Sequence, residues 1–209
     1  MATPPEIVPE NDLIAVRLRK AEELAGRGFP SYPDADALRP TITSAPLIAR
    51  YDGKTAPELE ALAGPDDTHR IAGRIIALRD FGKGAFVKLR DRDGEVQVFV
   101  SRKVLGDEPH DSFKLVEVGD FIGVEGTPMR TKTNEFALAA KRFVPLAKTT
   151  RPLPEKWAGL QDKETRYRQR YVDLIANEDV AKVFRSRSRI VRGIRNFLDA
   201  RGFTRSKRR

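Results

Sequence analysis

Between residues 86 and 99 lie side chains whose types and spacing suit contact with nucleic acid. Successive residues of a strand face opposite sides. FVKLR (86–90) therefore turns Val87 and Leu89 one way and Phe86, Lys88 and Arg90 the other. Across the DRDG turn, EVQVFV (95–100) adds Val96, Val98 and Val100 to the first set, and Gln97 and Phe99 to the second. Aromatic rings stack on bases, Lys and Arg meet phosphate, and an amide reads a base edge. The alternative is that Phe86 and Phe99 lie beneath a helix over 104–118 or beneath the N-terminal segment, and the sequence is compatible with both.

Other chemistry is thinner. FGKGAF (81–86) lacks the spacing of a nucleotide phosphate loop and reads as a turn between strands, with Lys83 at its tip able to touch backbone phosphate. In RSRSR (185–189) a helix puts Arg185, Arg189 and Arg192 on one face and Arg187 elsewhere, which reads first as a solvated surface. His69 and His110 are isolated and read as structural or surface residues, so no metal site is assigned. Spacing supports no Ser–His–Asp set and no carboxylate pair, so no catalytic residue is assigned either.

The elements that must position the 86–99 hairpin show as changes of period. Asn11 or Asp12 caps a helix with Ile14, Leu18, Ala21 and Ala25 on one side, and Gly26 and Gly28 available to end it. Residues 29–50, rich in Pro, Asp and Ser, read as an irregular connector. Thr55 and Glu58 have capping-box spacing for a short helix over 56–63. From His69 the period becomes two: HRIAGRIIALRD, AFVKLRD, EVQVFV, FIGVEGTPMR and EFALAAKRFVPL read as strands, with room for a helix between the third and fourth. Three strands, a helix and two strands is the element order of an OB-fold barrel, with an SH3-like barrel as its rival. Residues 148–161 read as a proline-bearing linker. Two helices follow, about 162–176 and 178–201, the second with an apolar stripe of Val180, Phe184, Val191, Ile194 and Leu198. The fold class is thus mixed α and β: an N-terminal helical appendage (1–68), a five-stranded OB-fold barrel (69–147), the linker (148–161), and C-terminal helices (162–209).

Composition narrows the function classes. The 209 residues include no Cys, which excludes a disulfide scaffold, a thiolate nucleophile and a zinc ribbon. With a mean hydropathy of −0.48 and no apolar run near the ~20 residues of a membrane helix, no membrane partner is expected. The N-terminus carries no secretory pattern, so a cytoplasmic location is expected. Residues 1–68 hold 7 basic and 12 acidic side chains, residues 69–147 hold 14 and 11, and residues 148–209 hold 18 and 7. Positive charge concentrated toward one end suits a polyanionic partner, and equally a solvated basic helix.

GLQDKETRYRQRYVDLI (159–175), after TRPLPEKW (150–157), resembles the bridge between the anticodon and catalytic domains of class II lysyl-tRNA synthetases. GRIIALRDFGKGAFVKLRDRDGEVQVFV (73–100) resembles the first three strands of that family's anticodon-binding OB-fold, and YDGKTAPELEAL (51–62) and TKTNEFAL (131–138) its flanking and fifth-strand segments. Aspartyl and asparaginyl relatives share the barrel and a similar RYxDL, whereas the longer run belongs to the lysyl branch. The resemblance covers about residue 10 to Phe203. It implies that Phe86 stacks on an anticodon base, and that Arg79, Gln97 and Glu135 hydrogen-bond the central uridine of the lysine anticodon; Lys83 and Lys88 remain candidate phosphate contacts. It also implies that the 178–201 helix is motif 1, the family's dimer helix.

The pattern departs from the family after Arg201-Gly202-Phe203. Motif 1 should continue as an alternating strand ending in proline; here TRSKRR follows. Motifs 2 and 3, which in the family bind ATP, Mg²⁺ and lysine, are absent from the 209 residues. The resemblance therefore implies a lysine–tRNA ligase segment, truncated within motif 1. Such a segment binds lysine tRNA, needs no cofactor of its own and is catalytically incompetent. It would associate with a second copy, or with a full-length synthetase subunit, through the motif 1 helix. Two rival readings stay open: a stand-alone regulatory or trans-acting OB-fold RNA-binding module, and a nonfunctional frameshift remnant.

Overall fold

The computed structural model describes residues 10–30, 32–34, 36–62, 64, 67–154 and 160–204. Part of the expected linker (155–159) and most of the basic tail (205–209) lie outside the described residues. The chain divides into two compact units, Met1–Pro152 and Leu153–Arg209.

In the first unit five strands close a barrel: β1 (His69–Asp80), β2 (Gly84–Arg90), β3 (Glu95–Ser101), β4 (Phe121–Arg130) and β5 (Phe136–Ala147), in the order β1-β2-β3-β5-β4. The twelve-residue β1 does double duty. Residues 69–74 pair with β4 and residues 74–80 with β2, so one strand spans two neighbours as the sheet curls shut. Closure is completed by parallel pairing of β3 with β5, Val98 opposite Leu138 and Phe99 opposite Ala139. That closing pair and the helices between β3 and β4 settle the choice of barrel: this is the OB-fold arrangement. Alternation fills the interior. Val87, Leu89, Val96, Val98 and Val100 are at most 4% exposed and pack with Ile71, Ile75, Ile122, Val124 and Leu138.

Among the described residues, three helices precede the barrel: α1 (Glu10–Gly26), α2 (Ser44–Arg50) and α3 (Ala56–Ala61). α1 already includes Asn11 and Asp12; of the expected stripe Ile14 and Ala21 are half-buried while Leu18, 45% exposed, and Ala25 are not, and the covered face also takes in Leu13, Arg17, Lys20 and the buried Leu24. Two cations on that face find partners. Arg17 donates to the Thr149 carbonyl at 3.0 Å, and Lys20 meets Glu117 at 2.9 Å. Glu117 also takes Lys148 at 2.8 Å, and Lys148 reaches Asp120 at 2.7 Å. Burial would raise the Glu117 carboxyl, but Lys148 and Lys20 outweigh it and hold the pKa below its ordinary value.

α3 forms as expected, with the Glu58 carboxylate accepting from the Thr55 amide at 2.7 Å and hydroxyl at 2.8 Å. α2 departs from the irregular connector expected over 29–50. Its first N–H is met from far along the chain: Ser44 donates its amide, and its hydroxyl as well, to the Asp91 carboxylate at 2.6 and 2.7 Å. Pro46, in the first turn, has no N–H to leave unmet. Between β3 and β4 the expected helix is two, α4 (Arg102–Leu105) and α5 (Asp107–Phe113), divided at Gly106.

The second unit holds α6 (Lys163–Arg168), α7 (Arg170–Ala176) and α8 (Glu178–Asp199). Asp173 is fully buried and accepts from Arg166 at 2.8 Å, Asn177 at 2.7 Å, and Arg170. This carboxylate joins the ends of all three helices.

The Asp91 carboxylate gathers still more donors. The Asp93 and Gly94 amides also donate to it, at 2.8 and 3.0 Å. Burial alone would raise its pKa, but the donors from Ser44, Asp93 and Gly94 outweigh burial and hold it down. A carboxyl depressed in the folded state contributes fully above its unfolded pKa of about 3.9, and that contribution fades as pH falls through the folded value. Asp91→Ala should therefore cost about 1–3 kcal/mol at neutral pH, read from urea unfolding. The gap between variant and parent should close in acid, and a gap that persists there would contradict the role given to the carboxylate.

Candidate nucleic-acid interface

The β2–β3 register puts Phe86 directly opposite Phe99 and Lys88 opposite Gln97, while β1 places Arg79 opposite Phe86. Facing pairs share a side of the sheet. Arg79, Phe86, Lys88, Gln97 and Phe99 therefore lie on the barrel's outward face, as alternation predicts. The rings of Phe86 and Phe99 are 5.0 Å apart between centroids, tilted by 41°. Both are half-buried, and part of their cover is an aromatic that strand alternation does not single out. Phe81, from the β1–β2 turn, lies 5.8 Å from Phe86 and 6.4 Å from Phe99, only 15° from parallel to the latter.

The turn is built to fold Phe81 back. Gly82 has φ +86°, and the Phe81 amide donates to the Gly84 carbonyl at 3.0 Å. A Cβ on Gly84 would stand 3.0 Å from both the Phe81 ring and the Val100 carbonyl, so glycine leaves the seat open. The ring remains 54% exposed. Its one signal in the sequence is an aromatic immediately before G-x-G in a strand turn.

Polar groups flank the rings unequally. Glu95 takes Lys88 at 2.8 Å and Arg90 Nε at 2.9 Å. Burial would raise the Glu95 carboxyl, but Lys88 and Arg90 outweigh it and lower the pKa. Lys88 thus shares its charge with Glu95, whereas Lys83 is exposed with no carboxylate partner among the described residues. Arg79 is exposed and Gln97 half-buried. Glu135 sits exposed on the β4–β5 turn, which its amide and carbonyl brace against Thr131 at 3.1 and 2.9 Å. It precedes by three residues the point where β5 joins β3, at Leu138 opposite Val98. The structure therefore gathers Arg79, Phe86 and Gln97 on one sheet face and puts Glu135 on the hairpin entering its neighbouring strand.

The histidines are structural. The Tyr51 hydroxyl donates to Asp67 at 2.7 Å and so receives from His69 Nε2, 2.6 Å away. Burial and the Asp67 carboxylate push the Tyr51 phenol up to about 12, and burial lowers His69. His110 is buried on α5. In the second unit no α8 side chain is buried: of the expected stripe Phe184, Ile194 and Leu198 are exposed and Val180 and Val191 half-buried, and Val183, Ile190 and Phe197 add to the exposed apolar face. Among the described residues no helix is long and apolar enough to cross a membrane.

Comparison with known proteins agrees with this geometry. Residues 69–146 match the OB-fold nucleic acid binding domain, and residues 162–207 match tRNA synthetases class II (D, K and N). The lysine–tRNA ligase of Anaeromyxobacter dehalogenans strain 2CP-C is 46% identical over 194 residues, covering 93% of this chain and 37% of the relative. That of Dehalococcoides mccartyi strain 195 is 43% identical over 197 residues, 94% of this chain and 38% of the relative. That of Magnetococcus marinus is 44% identical over 195 residues, 93% and 38%. The chain thus spans well under half the length of the curated relatives it matches. An OB-fold barrel followed by a class II synthetase segment, both matched within lysine–tRNA ligases, places the chain in the class II lysyl-tRNA synthetase family.

Proposed function

We propose that the chain binds the anticodon loop of lysine tRNA on the outward face of β1–β2–β3. The observation that carries this reading is the Phe81–Phe86–Phe99 cluster, lying on the same face as Arg79 and Gln97 in a barrel of the nucleic-acid-binding type. One loop base stacks on Phe86, and Gln97, Arg79 and Glu135 read the central uridine. Joining lysine to tRNA, the activity in the relatives' name, is a task of the whole ligase. Recognition without lysine activation is the share proposed for these 209 residues.

Base–aromatic stacking is worth about 1–3 kcal/mol per base, so Phe86→Ala should weaken binding of a lysine anticodon stem–loop roughly 5–150-fold. Circular dichroism should remain that of the parent, because Phe86 lies outside the barrel core. Gln97→Ala should instead flatten the preference for a central uridine over cytidine. A Phe86→Ala protein that folds and binds as tightly as the parent would reject the platform.

The exposed α8 stripe supports a second proposal, pairing with α8 of another copy. Five or more large apolar side chains in water forfeit about 1.5–3 kcal/mol each, and contiguous patches of that kind mark interaction sites. Light scattering should find a dimer that Ile194→Asp converts to monomer. A parent chain that stays monomeric at high concentration would refute the pairing, and a mass change only on adding a full-length synthetase would assign the stripe to that subunit.

A further inference from the structure

Beside the three rings lies an open depression lined by Lys83, Ser101, Arg102, Lys103, Gly106 and Asp107. It forms where the β1–β2 turn meets the end of β3 and the start of α4, and the Arg102 amide donating to the Lys83 carbonyl at 3.0 Å ties the two together. Gly84 is opposite Ser101 in the register, so the depression adjoins the strand ends that carry Phe86 and Phe99.

Its acids are engaged and two of its cations are not. The one carboxylate in the lining, Asp107, is taken by Arg102 at 2.5 Å, and Arg102 also reaches Asp111 at 3.6 Å. Lys83 and Lys103 are exposed and have no carboxylate partner among the described residues. The Ser101 hydroxyl caps no helix. Asp80, at the end of β1, is turned to the Gly82 amide at 2.7 Å. Two unpaired ammonium groups and a hydroxyl donor therefore line one hollow, while the one carboxylate of its lining is already answered by Arg102.

We propose that this depression seats the phosphodiester flanking the base stacked on Phe86, held by Lys83 and Lys103 with Ser101 donating. The inference rests on the platform reading and deepens it: it fixes which way the RNA backbone leaves the rings, past the β1–β2 turn and over the start of α4. Phosphate contacts position a strand and carry no sequence information, so this seat sets affinity and register while Gln97 and its neighbours set preference.

The test measures affinity against salt for a lysine anticodon stem–loop and for a stem–loop of unrelated loop sequence. Removing a cation that neutralises one phosphate of a single strand makes the log–log salt slope shallower by about 0.7. Lys103→Ala and Lys83→Ala should each do this, weaken both RNAs by the same factor, and act additively when combined. Lys141→Ala, an exposed lysine of β5 outside the depression, should leave the slope unchanged. A Lys103→Ala slope equal to the parent's, or a Lys141→Ala slope reduced as much, overturns the seat. Phe86→Ala, measured alongside, separates the two readings. If it weakens binding while Lys103→Ala does nothing, the seat falls and the platform stands. If Phe86→Ala is also neutral, the platform falls with it. Inorganic phosphate alone should shift Lys83 and Lys103 resonances only at high concentration; tight binding without RNA would make the hollow a free-phosphate site and overturn its role in holding the strand.

Discussion

The facing pair Phe86–Phe99 depends on a single constraint, the commitment of every second residue of β2 and β3 to the barrel interior. Val87, Leu89, Val96, Val98 and Val100 fill that interior, and slipping either strand by one residue would exchange them for Lys88, Arg90, Gln97 and the two rings. The burial of five aliphatic side chains thus holds two phenylalanines on the outside, although each on its own would gain by going in. The third ring follows from the same register. Gly84 pairs with Ser101 at the end of the ladder, and its lack of a Cβ lets Phe81 fold onto the pair.

Around this face the ionic groups act chiefly as fasteners. Asp91 binds the β2–β3 turn to the first turn of α2, so the hairpin carrying the platform is anchored at its closed end. Glu117, Asp120 and Lys148 tie α1 to the segments on either side of β4 and β5 at another point of the barrel. Glu95 draws in Lys88 and Arg90. Cations so engaged contribute less to a polyanion than unpaired ones do, which sets Lys83 and Lys103 apart from Lys88 and Arg90 beside the rings.

The barrel was legible in the sequence because its information is local: a period of two, turn residues at DRDG and TKTN, and a helix-sized gap after the third strand. Arg79, Phe86 and Gln97 were placed by alternation together with the family resemblance, and register agrees with their sharing a face. The features that stayed hidden depend on partners distant in sequence. α2 looked like a Pro- and Ser-rich connector because its capping carboxylate is 47 residues away. The α1 face holds Ile14 and Ala21 as expected but not Leu18 and Ala25, because Arg17 and Lys20, polar by type, turn to Thr149 and Glu117. Phe81 read as part of a turn, since nothing local shows that a ring before Gly82 folds back over the strands.

Direct mapping of the RNA footprint tests the central claim, that the outward face of β1–β2–β3 is where a tRNA loop binds. Amide chemical shifts would be followed as a lysine anticodon stem–loop is added to the labelled full chain. The account predicts the largest changes at Arg79, Phe81, Phe86, Gln97 and Phe99, with Lys83, Lys103 and Glu135 at the margin. Changes confined to the arginines of α8, with the three phenylalanines unmoved, would contradict it.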